Sequence, residues 1–500
     1  MKKIILSLIV VIGILSVACD MDKKPYDKIA TEDALQSIGD FSSLRNGCYA
    51  YVRTLFTGDY IIAPEIQADA VHAVVDYSNT YGQEYVWSFT AGDIGQFQTY
   101  YALINVCNLL INKGSELMPT FTAADQATLN QYMGEAYLLR ALAYEELAMR
   151  FCKAYKSSTA ASDLGLPLVT EYSPSGNSAS YPARASLYDT YQLILGDLTE
   201  ATNRLTTAGS ANARYATKDA VTALRVRVAL QMGDYPTCVS LAEPFLNAET
   251  YPLVNTKADF AQMWVNDNST ETIFQPFVSA TELSTALGTY FINAAGSDES
   301  SPTFAPNPTF IPEQGILDMY NKANDIRFSV YFQGWYVTMS AGTAPLYLCY
   351  KYPGNPNIVS TITTKFINMF KVFRVAEVWL NYAEAATQVD EGKALEALRT
   401  LRRARILGYV DETFGGAALV NEIRKERQKE FFMEGRRLWD LKRYGEGLTR
   451  TAPQNPDFVY LNGNSTTTDI NKPADDFRFV WPIPHHEVAA NPQMEQNPGY

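Results

Sequence analysis

Acid–base hydrolysis calls for paired carboxylates, and the most charge-dense stretch of the chain offers three of them. In RKERQKEFFMEGRRLWDLKRYG, Arg424 to Gly445, the residues Glu426, Glu430 and Glu434 recur every four positions. On a helix that spacing stacks them along one face, roughly 6 Å apart at Cβ, whereas a hydrolase sets its two carboxyls on either side of a scissile bond. One helix cannot flank a substrate in that way. Arg427 and Arg437 stand three residues from Glu430 and Glu434 on the same stripe, which predicts ion pairs internal to the helix. The stretch therefore reads as a packed, salt-bridged structural helix, with no catalytic residue assigned.

Other reactive side chains are sparse. His72, His485 and His486 are the only histidines, too few for a His-based triad or metal centre. Cys48, Cys107, Cys152, Cys238 and Cys349 are widely scattered with no CxxC spacing, which predicts small buried hydrophobes and neither a disulfide framework nor a zinc site. No metal and no cofactor is indicated. A net charge of −13 argues against a sequence-independent nucleic-acid binder, which needs clustered Lys and Arg to neutralise phosphates.

The elements that must position any site are mostly helical. Ala136, Leu139, Ala143 and Leu147 recur at helical spacing, and so do Val372, Val375, Trp379, Tyr382 and Ala386. Beside the second stripe runs another, Arg374, Glu377, Asn381 and Glu384, which predicts one dry and one salt-bridged buried face. MGDYPTC and VDEGKALEAL resemble the inter-helix turns of tetratricopeptide repeats. Helix pairs are accordingly expected at roughly 131–205, 216–248 and 367–407, stacked as a partial solenoid. Between them, 57–100, 250–366 and 450–484 are rich in Gly, Pro, Asn, Ser and aromatics without period, and read as long loops. Many of the 32 tyrosines fall there, an odd use of surface unless something stacks on them.

The N-terminus reads as an export signal. Lys2 and Lys3 precede the apolar run Ile4 to Leu15, too short to span a bilayer, and then come Ser16, Ala18 and Cys19. SVAC resembles the bacterial lipobox, with Ser16 where leucine is usual. This predicts a signal peptide at 1–18, an acylated Cys19 and a polar tether at 19–30, ahead of a single body at 31–500.

Taken in order, a set of motifs resembles the SusD/RagB family of outer-membrane nutrient-binding lipoproteins. They are YVWSFTAGD, YYALINVCNLLI, GEAYLLRALAYEELAMRFCKAY, GLPLV, RASLYDTYQLILGDLTEA, YATKDAVTALRVRVALQMGDY, NDIRFS, FRVAEVWLNYAEAA, IRKERQKEFFMEGRRLWDLKRYG and PIPHHEVAANPQMEQNPGY. The resemblance implies a mainly α, SusD-like fold whose tetratricopeptide-like helix pairs form a scaffold decorated by long, irregular, aromatic-rich loops, with an N-terminal part at about 31–250 and a C-terminal part at about 251–500. It also implies a surface-exposed lipoprotein of the cell outer membrane that lids a TonB-dependent transporter and delivers a glycan or, in some members, peptides to it. Asp20 and Asp22 resemble the surface-export signals of such lipoproteins.

The leading expectation is then a non-catalytic glycan-binding subunit, with sugar faces stacked on aromatic rings and hydroxyls bonded by polar side chains. Tyr77, Tyr81, Tyr290, Trp335 and Tyr336 are the candidate rings, with Asn79, Gln83 and Arg53 as polar partners. Trp87 and Trp264 are expected in the core. Peptide binding by the same architecture is the alternative, and a secreted glycosidase the remote one. The site is expected where 57–100 meets 280–345, on rings that face solvent.

Overall fold

The computed structural model describes residues 35–173, 176–292, 304–358, 365–450, 452–460 and 471–500. The signal peptide, Cys19 and the tether lie outside the described residues.

Twelve α-helices of eight residues or more carry the described chain: α1 (Ile38–Leu55), α2 (Asp59–Gln67), α3 (Phe97–Leu117), α4 (Ala123–Phe151), α5 (Leu187–Arg204), α6 (Lys218–Met232), α7 (Tyr235–Asn247), α8 (Lys257–Val265), α9 (Val375–Ala386), α10 (Glu391–Arg405), α11 (Gly416–Glu430) and α12 (Arg437–Tyr444). Their starts are specified locally. Ser37, Thr122, Ser186, Thr217, Asp234, Thr256 and Asp390 each accept a first-turn backbone N–H, which satisfies a donor the helix leaves bare. Gly233, in the left-handed region at φ 71°, closes α6 and lets Asp234 open α7 at once. That is the tight turn expected of MGDYPTC.

The predicted pairs form. α4 packs on α5, α6 on α7 and α9 on α10, with α9 also against α6 and α7. α4 is buried from Leu138 to Phe151 without interruption, so its charges need partners inside the protein. Arg140 makes two bonds to Asp197 at 2.8 and 2.6 Å, Arg150 pairs with Glu146, and Glu145 lies 3.5 Å from Arg227. The second stripe of α9 is salt-bridged as expected: Arg227 binds Glu377 at 2.6 Å, Arg443 binds Glu384, and Arg427 donates to Asn381 at 2.7 Å.

The charge-dense stretch differs from its expectation in two ways. It is not one helix: α11 stops at Glu430, Met433 and Gly435 adopt left-handed backbone at φ 59° and 73°, and α12 restarts at Arg437. The break turns Phe431 and Phe432 into the core. Nor do Glu430 and Glu434 take the expected arginines, although Glu426 pairs with Lys429 inside α11 at 3.4 Å. Glu430 receives Arg374 at 2.7 Å and Arg405 and Arg327 at 2.9 Å each; Glu434 receives Lys351 at 2.6 Å and Arg374 at 2.7 Å. Arg427 goes to Asp440 at 2.7 Å and Arg437 to Asp69 at 2.6 Å. Burial alone would raise the Glu430 carboxyl, but the three guanidiniums outweigh it and hold the group well below the usual carboxylate range. Spacing at i,i+3 permits a pair, and a better-desolvated cation from a distant segment displaces it.

Strands are few and short. Five antiparallel two-stranded ladders are described, β1 (Val71–Ala73) with β5 (Phe310–Pro312), β2 (Leu164–Pro167) with β3 (Arg184–Ser186), β4 (Thr272–Phe274) with β8 (Phe373–Arg374), β6 (Phe332–Met339) with β7 (Gly342–Cys349) and β9 (Leu448–Thr449) with β10 (Asn471–Lys472), of which only β6 with β7 is long. This hairpin corrects the reading of 250–366 as free of period. Val337, Met339, Leu346 and Leu348 point into a small apolar cluster, while Tyr336, Thr338, Thr343 and Pro345 are exposed. All five described cysteines are buried. Trp87 and Trp264 are fully buried, as expected.

Candidate ligand-binding face

Two of the irregular regions meet through backbone and side chain alike. β1 (Val71–Ala73) pairs with β5 (Phe310–Pro312). Asp76 accepts the Ser340 N–H at 2.6 Å and its hydroxyl at 2.5 Å, tying the end of β1 to the tip of the β6–β7 hairpin. Thr57 and Thr285 exchange two bonds, at 2.8 and 2.9 Å.

On this junction Tyr81 and Tyr290 stand edge to face at 5.1 Å. The Tyr81 hydroxyl donates to Asp59; burial, and then the Asp59 carboxylate, push its phenol well above the ordinary value. Tyr77 donates to Asn79 at 2.9 Å and packs on Tyr460 at 4.8 Å. Asn79 and Tyr81 both take left-handed backbone, at φ 59° and 55°, so the turn that presents them is tightly defined. Trp335 lies against Phe304 at 5.4 Å and Tyr350 at 5.5 Å. Tyr77 and Trp335 flank the same apolar cluster of Val74, Ile311, Val337 and Leu346.

The structure thus brings Tyr77, Asn79, Tyr81 and Tyr290 to one junction with Trp335 nearby, but it corrects the expectation that the rings face solvent. Tyr77, Tyr81, Tyr290 and Trp335 are half-buried; their packing partners are other aromatics that the sequence does not mark as neighbours. Tyr336 is the exception, 73% exposed on the outer face of the hairpin opposite Pro345. Gln83 is exposed on the short helix Gly82–Val86. Arg53 is already engaged, by Glu282 at 2.8 Å and the Phe277 carbonyl at 3.2 Å, so it is a strap between α1 and the 277–285 segment before it is a ligand group. Tyr460, Phe304 and Asp59 were missed, although all three fall in the stretches 57–100, 250–366 and 450–484 whose composition marks them as loop.

Comparison with known proteins matches the chain to two family models: "SusD family" over residues 338–500 and "Starch-binding associating with outer membrane" over residues 23–230. The chain belongs to the SusD/RagB family. Among curated relatives, the SusD-like protein P38 of Formosa agariphila is 24% identical over 81% of this chain and 79% of its own length. The starch-binding protein SusD of Bacteroides thetaiotaomicron is 31% identical over 26% of this chain and 21% of its own. A solved SusD superfamily structure from B. thetaiotaomicron, 24% identical, superposes with a TM-score of 0.76 over 93% of this chain and all of that one. The fold is therefore SusD-like and mainly α. As a SusD-family protein the chain is non-catalytic, and Glu426, Glu430 and Glu434 are scaffold.

Proposed function

We propose that this protein is a lipid-anchored, surface-exposed subunit that binds a glycan and delivers it to a TonB-dependent outer-membrane transporter. One matched family is described as starch-binding and associated with the outer membrane and one relative as starch-binding, and both support the coarse reading. What carries the finer one is the set of half-buried rings Tyr77, Tyr81, Tyr290 and Trp335 gathered at one junction, with Tyr336 exposed on the outer face of the adjoining hairpin. An aromatic platform fixed from below, with Asn79 and Gln83 at its edge, suits the apolar face of a pyranose with hydroxyls at its rim. Cys19, acylated after signal cleavage, would hold the body to the membrane, and Cys19→Ala should then yield a soluble form that no longer partitions with detergent.

Calorimetry of the acyl-free protein against defined glycans and defined peptides tests the ligand class. Glycan binding weakened by Tyr336→Ala supports the reading; peptide binding alone turns it toward the peptide-carrying alternative. Co-purification of the transporter with the wild type tests the partner.

A further inference from the structure

We propose that Cys48 and Cys107 form a disulfide in the exported protein, joining α1 to α3. The two sulphurs lie 4.0 Å apart across the packed helices, at a sequence separation of 59. Of the five described cysteines these are the two whose sulphurs meet; Cys238, by contrast, spends its thiol on the Val226 and Asn381 carbonyls. Both are 1% exposed or less, and a van der Waals contact between side chains on neighbouring helices closes to a bond of about 2.05 Å by small changes of torsion. Outside the cytoplasm such a pair is oxidised and persists. The scattered spacing of the cysteines hides the pair in the sequence, because it arises only when α1 lies along α3.

The oxidant is the disulfide of an extracytoplasmic thiol–disulfide oxidoreductase. One cysteine thiolate attacks that disulfide and forms a mixed disulfide; the second thiolate displaces the oxidoreductase. Two S–H bonds are lost and one S–S bond forms, while the two electrons and two protons end on the oxidoreductase as its dithiol. Burial pushes the Cys107 thiol well up in the folded protein, so exchange belongs to a stage before folding buries the pair. Once formed, the bond closes a long loop and constrains the unfolded chain.

The proposal rests on the chain being exported, and its test separates the two. Protein recovered from the outer-membrane fraction is unfolded with N-ethylmaleimide present and its peptides are mapped with and without prior reduction. Cys152, Cys238 and Cys349 should label at once, and Cys48 and Cys107 only after reduction, with a linked peptide two hydrogens lighter than its parts. Full labelling of Cys48 and Cys107 without reduction overturns the proposal. In a second arm, acyl-free reduced chain is refolded in a glutathione redox buffer, which reads the geometry whatever the compartment. The same linkage should form there, and reductant should then lower the melting temperature of the wild type but not of the Cys48→Ala, Cys107→Ala double variant. Failure to form the linkage on refolding overturns it as well. Absence of the protein from the membrane fraction, with the linkage formed on refolding, would sink the export reading and leave the pairing standing.

Discussion

The clamp around α11 and α12 and the aromatic face at the 57–100/280–345 junction are both dense in side chains that could do chemistry, yet they are held in opposite ways. In the clamp, Glu430 and Glu434 are saturated by Arg327, Arg374, Arg405 and Lys351, gathered from segments far apart in sequence. Neither of these two carboxylates is left over to meet a ligand. On the face, rings stack on rings and few charges are involved, so an outer ring such as Tyr336 stays exposed at little cost to the fold. A buried ion network fixes one geometry, because removing any member strands the rest in low dielectric. An aromatic surface tolerates exchange at its outer layer.

The strongest way to break the comparison is Glu430→Ala. Three arginines would lose a shared carboxylate in the core, and the cost should reach or pass about 3 to 5 kcal/mol. Glu434→Ala, which strands Lys351 and Arg374, should fall at the lower end of that range. Thermal and denaturant melts check both. An unchanged melt combined with lost ligand binding would make the clamp a site after all.

Glu65, on α2, sits where the two regions join and sharpens the contrast through pH. Its Oε1 accepts the Arg436 backbone N–H at 2.8 Å, while Oε2 has no hydrogen-bond partner among the described residues. Burial pushes this carboxyl up to about 7 from an ordinary 4.5. Between those values the unfolded chain has released the proton and the folded chain has kept it, so stability should fall as pH rises from about 4.5 to about 7, then level off. At 1.36 kcal/mol per unit the change is about 3 kcal/mol. Glu377 works in the opposite sense: burial would raise it, but Arg227 outweighs burial and holds it at about 2, so its contribution is lost as pH falls from about 4.5 toward 2. Denaturant melts of Glu65→Gln across pH 2 to 8 should lack the first slope and retain the second.

Much of this was legible in the sequence, for physical reasons that also mark where legibility ends. Caps and the Gly233 turn are local, so the helix pairs could be read from their own residues. The buried second stripe of α9 followed from period alone. Partner choice did not: Glu430 finds Arg327, Arg374 and Arg405 only after several segments assemble, and short-range spacing offered the wrong mates, Arg427 and Arg437. For the face, composition marked the right regions, but exposure depends on what stacks behind each ring. Trp335 and Tyr336 are neighbours in sequence, and the pleat of β6 sends one onto Phe304 and Tyr350 and the other into solvent.

That neighbouring pair gives the finest test. Trp335→Ala should remove packing from a half-buried ring and cost about 2 kcal/mol, less than the 3 to 5 of a fully buried one. Any accompanying loss of affinity would then be ambiguous. Tyr336→Ala removes a ring that supports no core, so its melt should stay within about 0.5 kcal/mol of the wild type. If a ligand stacks there, the ring contributes roughly 0.5 to 1.5 kcal/mol by analogy with aromatic pairs, and affinity should drop about three- to tenfold. Tyr336→Phe, which keeps the π face and loses the hydroxyl, should restore most of it. Calorimetry of the three variants with one glycan separates stacking from packing. Unchanged affinity in Tyr336→Ala would move the site off the hairpin's outer face, and an affinity that Tyr336→Phe does not restore would show that the hydroxyl, not the face, makes the contact.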